Sequence, residues 1–222
     1  MKLIIKVLLF INLLIAEDGK FRIKSDNLEH IIYSSSLWLT SVPSIDPLRD
    51  ERFIFQAGFS SIKFQKYNKI LLYPNIDVGL KITKNLAITY KSYGFISGND
   101  SPQVLGGGLQ YYFGNNDTLD WSVSIHRADL NGLKHYNLKS ITMDLRKWLS
   151  IKNMRIRIGV GSNVFKERSI LNEYDIPTTL EGQTNFIGLN MLYPIARFIF
   201  GIELKVGPQT SHTSIFLQKE IF

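Results

Sequence analysis

Asp120, Ser124 and His126 supply the residue types of a hydrolytic triad within one short stretch of the chain. A serine nucleophile needs a base within hydrogen-bonding distance, and the base needs a carboxylate that orients it. The surrounding residues alternate between apolar and polar, which predicts a strand, and residues two apart on a strand are separated by roughly 6.5 Å. That distance is too long for a bond between Ser124 and His126. Thr142, expected opposite, supplies no base, and we therefore predict no catalytic residue.

Metal and cofactor sites have equally little support in the sequence. His126, His135 and His212 do not have the spacing of metal ligands. Cysteine is absent, which excludes a disulfide scaffold, a cysteine-ligated zinc site, a thiol nucleophile and acylation on cysteine. The run Gly106–Gly108 lies inside a strand pattern, without the following helix that a phosphate-binding loop needs, and predicts a close contact or a bulge. We predict neither a metal nor a cofactor.

Charged residues on neighbouring predicted strands form the strongest candidate site. A plausible pairing sets Asp120 opposite Arg146, Ser122 opposite Asp144 and Ser124 opposite Thr142. Arg155 and Arg157 on the next strand would then face the same cluster. Such a cluster is either a constriction that selects solutes or an ion-pair network that fills a narrow interior. We call this predicted set the lumen charge cluster; it comprises Asp120, Asp144, Arg146, Arg155 and Arg157.

The elements that would position this cluster are strands. From residue 52 onward, apolar and polar residues alternate with a period of two, the pattern of a strand with one apolar face. About ten strands are predicted, within a range of eight to twelve. They cover 53–59, 76–82, 86–91, 104–113, 119–126, 140–146, 154–161, 187–193, 198–205 and 213–222.

The connections between these strands alternate in length. Short links at 83–85, 114–118, 149–153 and 194–196 alternate with longer ones, chiefly 128–137 and 163–183. Short turns on one rim and longer loops on the other are typical of an antiparallel up-and-down transmembrane β-barrel with both termini on the periplasmic side. A soluble exported β-sandwich or a lipocalin-like binding domain would show the same alternation and stays open as an alternative.

The polar face and the aromatic residues favour the membrane barrel. Glycine, serine, threonine and asparagine dominate the polar face, which suits a crowded interior, whereas a water-facing sheet would carry more lysine and glutamate. Aromatic residues fall near strand ends, as interfacial girdles do. These residues are Tyr93, Phe95, Tyr111, Phe113, Trp121, Tyr193 and Phe198.

The first 51 residues do not follow the strand pattern. Residues 1–16 have two lysines, a short apolar stretch and Ala16, the layout of a cleaved signal peptide. The apolar stretch is too short for a membrane-spanning helix. Cleavage would lower the net charge from +7 to +5, because Lys2 and Lys6 are removed. Residues 17–51 are expected to form a periplasmic or lumen-entering segment, with 26–40 either a helix capped by Asp26 or a strand pair.

The signal peptide, the strands from 52 to 222 and the terminal Phe222 together resemble the small bacterial outer-membrane β-barrel proteins. That resemblance implies residence in the outer membrane, contact with its lipid, and a last strand that the barrel-assembly machinery recognises through Phe222. Ile215, Leu217 and Ile221 share one face of that strand, but Phe222 falls on the other. We expect a bulge to reconcile the two faces.

The expected role is non-enzymatic: an envelope structural protein, a surface-interaction protein or a narrow channel for small solutes. Loops 128–137 and 163–183 would carry recognition of an extracellular or periplasmic protein. A barrel enzyme of the lipid A deacylase or protease type is the alternative. Nucleic acid is not expected as a partner, because basic residues are scattered and form no run.

Overall fold

The computed structural model describes residues 28–64, 69–96, 100–115, 118–170, 179–208 and 210–222. The predicted signal peptide and Asp26 lie outside these residues. Within the described part of the chain, one helix, α1 (Leu28–Leu39), precedes the ten predicted strands, all of which are present. The strands are β1 (Phe53–Phe64), β2 (Lys69–Lys81), β3 (Leu86–Gly94), β4 (Gln103–Phe113), β5 (Trp121–Asn131), β6 (Tyr136–Ile151), β7 (Met154–Ser169), β8 (Thr179–Ile195), β9 (Phe198–Val206) and β10 (Ser211–Ile221).

Each strand pairs antiparallel with its neighbours in sequence, and β1 pairs with β10, so that the sheet closes into an up-and-down barrel. The fold class predicted from the alternation is therefore confirmed. We call the end that carries the start of β1 and the end of β10 the turn rim. Its connections include 152–153 and 196–197. We call the opposite end the loop rim, with connections that include 95–102 and 170–178.

The wall has a polar inner face and an apolar outer face. Successive residues of each strand alternate between buried and exposed, as the pattern of β6 shows. The outward side chains form an apolar belt around the barrel, represented by Leu105, Met143, Val160, Ile187 and Ile215, each more than half exposed. Such a belt is what a hydrocarbon core requires of a wall whose backbone bonds are all satisfied within the closed sheet. Among the described residues, no helix is long and apolar enough to cross a membrane.

The helix α1 and the residues after it lie inside the barrel. Ile32, Leu37 and Trp38 are fully buried, and α1 contacts strands β1, β5, β6, β7, β8 and β10. Residues 40–47 are also buried and continue from α1 toward the turn rim, where β1 begins. The helix ends before Pro43, and its last turn closes with bonds from the Thr40 and Ser41 amides to Leu37 and Trp38. We call residues 28–47 the plug.

The strands are longer at the loop rim than the sequence indicates. The predicted loops 128–137 and 163–183 are mostly strand, since β5 ends at Asn131, β6 begins at Tyr136, β7 ends at Ser169 and β8 begins at Thr179. The prediction was wrong because outward residues near this rim are charged, among them Arg127, Lys139 and Lys166. Both faces of the strand are then polar or mixed, and the alternation that identifies a strand disappears although its backbone pairing continues.

The end of β10 contains no bulge. Its pairing with β1 is continuous from Ser211 to Ile221, and the Phe222 backbone follows with a positive φ of 32°. This left-handed conformation turns the Phe222 ring outward, where it stacks on Phe53 with ring centroids 6.3 Å apart. The expected bulge was wrong, because a single turned residue brings Phe222 to the outer face.

Candidate functional site

The lumen and its plug form the candidate functional site. Toward the loop rim the contact is mainly apolar. The indole of Trp38 stacks on the Tyr73 ring at 4.7 Å and donates a hydrogen bond of 2.8 Å to the Asn75 Oδ1. Ile31, Ile32 and Leu39 join the same buried cluster with wall residues that include Leu130, Leu138 and Phe165. The half of the plug nearer the loop rim is thus packed like a protein core.

Two predicted girdle residues belong to this cluster instead of the outer face. Tyr93 and Phe95 lie edge-on to Trp38, with ring centroids 6.5 and 6.1 Å from it. They differ in this from other residues of the predicted girdle, because Tyr111, Phe113, Tyr193 and Phe198 are exposed on the outer face. The sequence prediction was wrong here because β3 ends at Gly94 and Tyr93 lies on its inner face.

In the middle of the lumen, wall side chains bind the backbone of the plug. Lys91 donates to the carbonyl oxygens of Leu39 and Ser41. Gln110 donates to the Pro43 oxygen at 3.0 Å. These carbonyls follow the end of α1 and have no partner within the helix, so the wall supplies what a helix end lacks. The plug is therefore held at its backbone as well as through its side chains.

Near the turn rim, charged residues hold the end of the plug. The Asp46 carboxylate accepts two hydrogen bonds from the Arg155 guanidinium, at 2.8 and 3.0 Å. Lys81 Nζ donates to the Asp46 carbonyl oxygen at 3.2 Å. Just beyond, Arg49 forms an ion pair of 2.9 Å with Glu220 on the last strand. The bidentate pair of Asp46 and Arg155 fixes the orientation of the two side chains as well as their distance.

Four of the five predicted charge-cluster residues line the lumen. Arg146 is fully buried and lies 3.4 Å from Asp144 and 3.3 Å from Glu203. Arg157 is also buried, with its guanidinium 5.6 Å from the centre of the Trp148 ring. Arg155 binds the plug through Asp46. The cluster is thus divided between a buried network around Arg146 and an anchor for the plug.

Asp120 does not join this cluster. It precedes β5 at the turn rim and lies 3.7 Å from Lys147 on the outer side of the wall. The cause is Leu119, whose φ of 38° reverses the alternation, so that Leu119 is buried against Ile45 and Tyr112. The predicted pairing of β5 with β6 is also displaced by two residues: Ser122 lies opposite Arg146 and Ser124 opposite Asp144. A displacement by two keeps each side chain on its face.

Sequence reasoning missed several charged lumen residues on β2, β3 and β9. Lys91 Nζ lies 3.2 Å from Asp77, and both side chains are buried. Lys205 Nζ lies 3.1 Å from Glu203, which in turn pairs with Arg146. Their inward positions in the alternation were the available signal. Asp77 and Lys91 lie on the neighbouring strands β2 and β3, and Glu203 and Lys205 lie two residues apart on β9, so only the contact of Glu203 with Arg146 joins distant strands.

Asp120, Ser124 and His126, the residue types of a hydrolytic triad, are not arranged for catalysis. Ser124 and His126 are both buried on the inner face of β5. Neither imidazole nitrogen of His126 is in hydrogen-bonding geometry with Ser124 or another described residue. Within the described part of the chain, no group of three or more His, Cys, Asp or Glu side chains is placed to hold a metal ion.

Comparisons with known proteins give architectural matches only. No protein-family model matches the sequence, and no curated protein sequence matches it. Among solved structures, a KdgM porin in complex with disordered oligogalacturonate is 7% identical, with 76% of this chain and 99% of that chain covered and a TM-score of 0.41.

Two further solved structures come from Neisseria and from Yersinia pestis. Neisserial surface protein A is 8% identical, with 76% of this chain and 96% of that chain covered and a TM-score of 0.33. Ail, the attachment invasion locus protein of Yersinia pestis, is 12% identical, with coverages of 78% and 98% and a TM-score of 0.31. The solved structures to which this chain is similar are bacterial outer-membrane β-barrels, and no sequence family accompanies that likeness.

Proposed function

We propose that this protein is a non-enzymatic, integral outer-membrane β-barrel whose lumen is closed by its own N-terminal segment. The observation that carries the proposal is the position of the plug. Its residues from Ser34 to Asp46 are almost entirely buried by an inner wall, while the outer wall presents apolar side chains. A barrel filled in this way serves as a structural or surface-interaction protein of the envelope.

Membrane residence is tested by fractionation of cells that express the full chain. We expect recovery in the outer-membrane fraction only with detergent, and a shift in gel mobility on heating, because a closed sheet resists unfolding in detergent. Recovery in the soluble periplasm without detergent, with no mobility shift, would support the soluble exported β-domain instead.

The enzyme alternative is tested with the double variant Ser124→Ala and His126→Ala. Both side chains are buried behind the plug, without a mutual hydrogen bond. We expect no hydrolysis of lipid A or of peptide by the wild type, and no difference in the variant. Hydrolysis by the wild type that the variant loses would establish the enzyme alternative.

A narrow channel is the second candidate function, favoured by the buried charges beside the plug. Arg146, Glu203 and Lys205 line the lumen next to a segment that is bound partly through its backbone carbonyls. Displacement of the plug would expose this charged lining. Conductance in a planar bilayer distinguishes a permanently closed barrel from one that opens.

We further propose that the barrel-assembly machinery recognises the last strand. Phe222 lies 81% exposed on the outer face beside Phe53, where a factor acting on the unclosed barrel can reach it. Removal of Phe222 should lower the amount of assembled, heat-shifting protein in cells. Removal of the neighbouring outward charge in Lys219→Gln should not.

A further inference from the structure

The outer face of the wall is asymmetric near the loop rim. On strands β5 to β8, one outward row crosses the sheet as Asp129, Lys139, Lys166 and Glu181, each directly opposite the next. Arg127 and Arg168 lie beside this row, also exposed. The four cations among these described outward side chains are Arg127 on β5, Lys139 on β6, and Lys166 and Arg168 on β7. The asymmetry coincides with the longest strands, β6, β7 and β8.

Two of these cations have no carboxylate of their own. Arg127 pairs with Asp129 at 3.0 Å, and Lys166 pairs with Glu181 at 2.5 Å. Neither Lys139 nor Arg168 forms an ion pair with a described residue. Among the described residues, the four cations therefore outnumber the two carboxylates on this surface above the apolar belt.

An apolar groove begins two outward positions nearer the turn rim on β6 to β8 and extends across β5 to β9. It has a volume of about 680 Å³ and opens outward. Its apolar lining comes from Val123, Met143, Leu145, Val160, Ile187 and Val206. Because this part of the wall faces hydrocarbon in a membrane-spanning barrel, the groove suits the acyl chain of a lipid.

A small polar cluster lies at the loop-rim end of the groove on β7 and β8, and Ile141 and Val164 lie between the groove and the basic row on β6 and β7. Ser162 and Asn185 line the upper groove, and Gln183 donates hydrogen bonds to Ser162 Oγ at 2.9 Å and Asn185 Oδ1 at 3.0 Å. Hydroxyl and amide groups at this level match the glycerol and ester region between the chains and the headgroup of a lipid. Along β8 the outward surface thus changes from Ile187 in the groove to Asn185 and Gln183, and the cations lie beyond this level on β6 and β7.

We propose that this face of β5 to β8 is a binding site for a membrane lipid with an anionic phosphate headgroup. The acyl chain lies in the groove, the polar cluster contacts the ester region, and Lys139 and Arg168 bind the phosphate as charge-assisted hydrogen-bond donors. We call this surface the lipid face. The inference rests on the proposed function, because the loop rim meets a lipid leaflet only in a membrane-spanning barrel.

The test measures lipid binding by the full-chain protein in detergent, with native mass spectrometry. Phosphatidic acid is titrated against phosphatidylcholine, and inorganic phosphate is a separate arm. We expect phosphatidic acid to bind more tightly than phosphatidylcholine. The double variant Lys139→Gln and Arg168→Gln should bind phosphatidic acid roughly ten- to thirtyfold more weakly, since each cation near a lipid surface contributes about fivefold.

Matched variants separate the headgroup from the groove. Lys84→Gln with Lys134→Gln removes the same charge from exposed positions outside the lipid face, and should leave binding unchanged. Val160→Phe fills the groove and should weaken phosphatidic acid binding. Ile158→Phe, one outward position nearer the turn rim and outside the groove, should not. Each variant must first show the heat-dependent mobility shift of a folded barrel.

Three results would overturn the inference. Equal binding of phosphatidic acid by the wild type and the Lys139/Arg168 variant would remove the basic site. Equal weakening by the Lys84/Lys134 control would show a general effect of net charge. Inorganic phosphate that displaces phosphatidic acid, with Val160→Phe unaffected, would indicate a free-phosphate site. If the protein is extracted with detergent and shows the heat-dependent mobility shift but fails these lipid-binding tests, the lipid site is wrong and the proposed function stands. A soluble protein without that shift would contradict the proposed function itself.

Discussion

At the scale of single residues, Arg146 is the centre of the lumen network. Its guanidinium is fully buried and compensates two carboxylates, Asp144 and Glu203, from different strands. Burial of a charge is costly, and removal of one partner leaves the other charges uncompensated. The network therefore makes the lumen intolerant of single charge deletions, although the same charges add little where they are exposed to water.

The substitution Arg146→Met should lower the free energy of unfolding by about 3–5 kcal/mol, because Asp144 loses its cation and Glu203 loses one of two. Arg127→Gln is the control: it breaks the exposed pair with Asp129 and should leave stability unchanged. Guanidinium unfolding of the detergent-solubilised barrel, followed by circular dichroism, measures both. A loss of equal size in the two variants would contradict the buried network.

Gly201 is required by close packing of the inner wall. A Cβ at this position would overlap the Phe216 ring on β10. Gly201→Ala should therefore destabilise the barrel by about 1–3 kcal/mol in the same unfolding experiment. Gly107→Ala is the matched control, since its nearest neighbour would be the Thr89 oxygen at 3.3 Å. Tolerance of Gly201→Ala would show that the wall and Phe216 are less tightly packed than described.

At the scale of elements, the plug is the feature that organises the lumen. Part of it could be predicted: the sequence allowed either a helix or a strand pair at 26–40 in a periplasmic or lumen-entering segment, and the inward faces of the strands follow from their alternation. Its contacts could not. The bonds from Lys91 and Gln110 go to backbone carbonyls of the plug. Every residue has such a carbonyl, so the residue types do not show which one accepts a bond.

The arrangement of the strands also explains which charged lumen residues could be predicted from the sequence. Asp144, Arg146, Arg155 and Arg157 lie on two consecutive strands joined by a tight turn, so their proximity follows from local pairing. Glu203, on β9, reaches Arg146, on β6, only because the sheet closes into a barrel. Asp120 was misplaced because one residue, Leu119, adopts a positive φ that no residue-type preference indicates.

Truncation of the central plug side chain should show how much the plug stabilises the barrel. Trp38→Ala removes a fully buried indole, its stacking on Tyr73 and its hydrogen bond to Asn75, and should cost about 3–5 kcal/mol. Trp121→Ala, on the outer face at the turn rim, should cost less. Equal unfolding midpoints for Trp38→Ala and the wild type would indicate that the plug does not support the barrel.

A crosslink tests the position of the helix directly. Ser34 Oγ on α1 lies 3.4 Å from Thr210 Oγ1, directly before β10 at the loop rim, and the native chain contains no cysteine. Ser34→Cys with Thr210→Cys should therefore form a disulfide on oxidation, whose sulfur atoms need to approach to about 2.05 Å. Ser34→Cys with Thr213→Cys is the control. Thiol titration should show loss of free thiols in the first pair alone, and equal reactivity would contradict the described position.

At the scale of the whole molecule, the barrel combines two environments in one wall. The outer face is apolar and suits lipid, and the inner face is polar and suits the plug; the mean hydropathy of zero is the average of the two. Closure of β1 on β10 removes every exposed strand edge, which is the condition for a sheet within hydrocarbon. The plug then decides whether this closed wall encloses a path for solutes.

The most direct test of that central claim is the conductance of the full-length wild-type protein in a planar bilayer. Because wall and plug are joined by buried apolar, backbone and ionic contacts from Trp38 to Asp46, we predict that inserted protein produces no stepwise current. The heat-dependent mobility shift of the same preparation shows that the barrel is folded. Steady, reproducible current steps from the wild type would contradict the account, because they would require an open path through the lumen that the plug occupies.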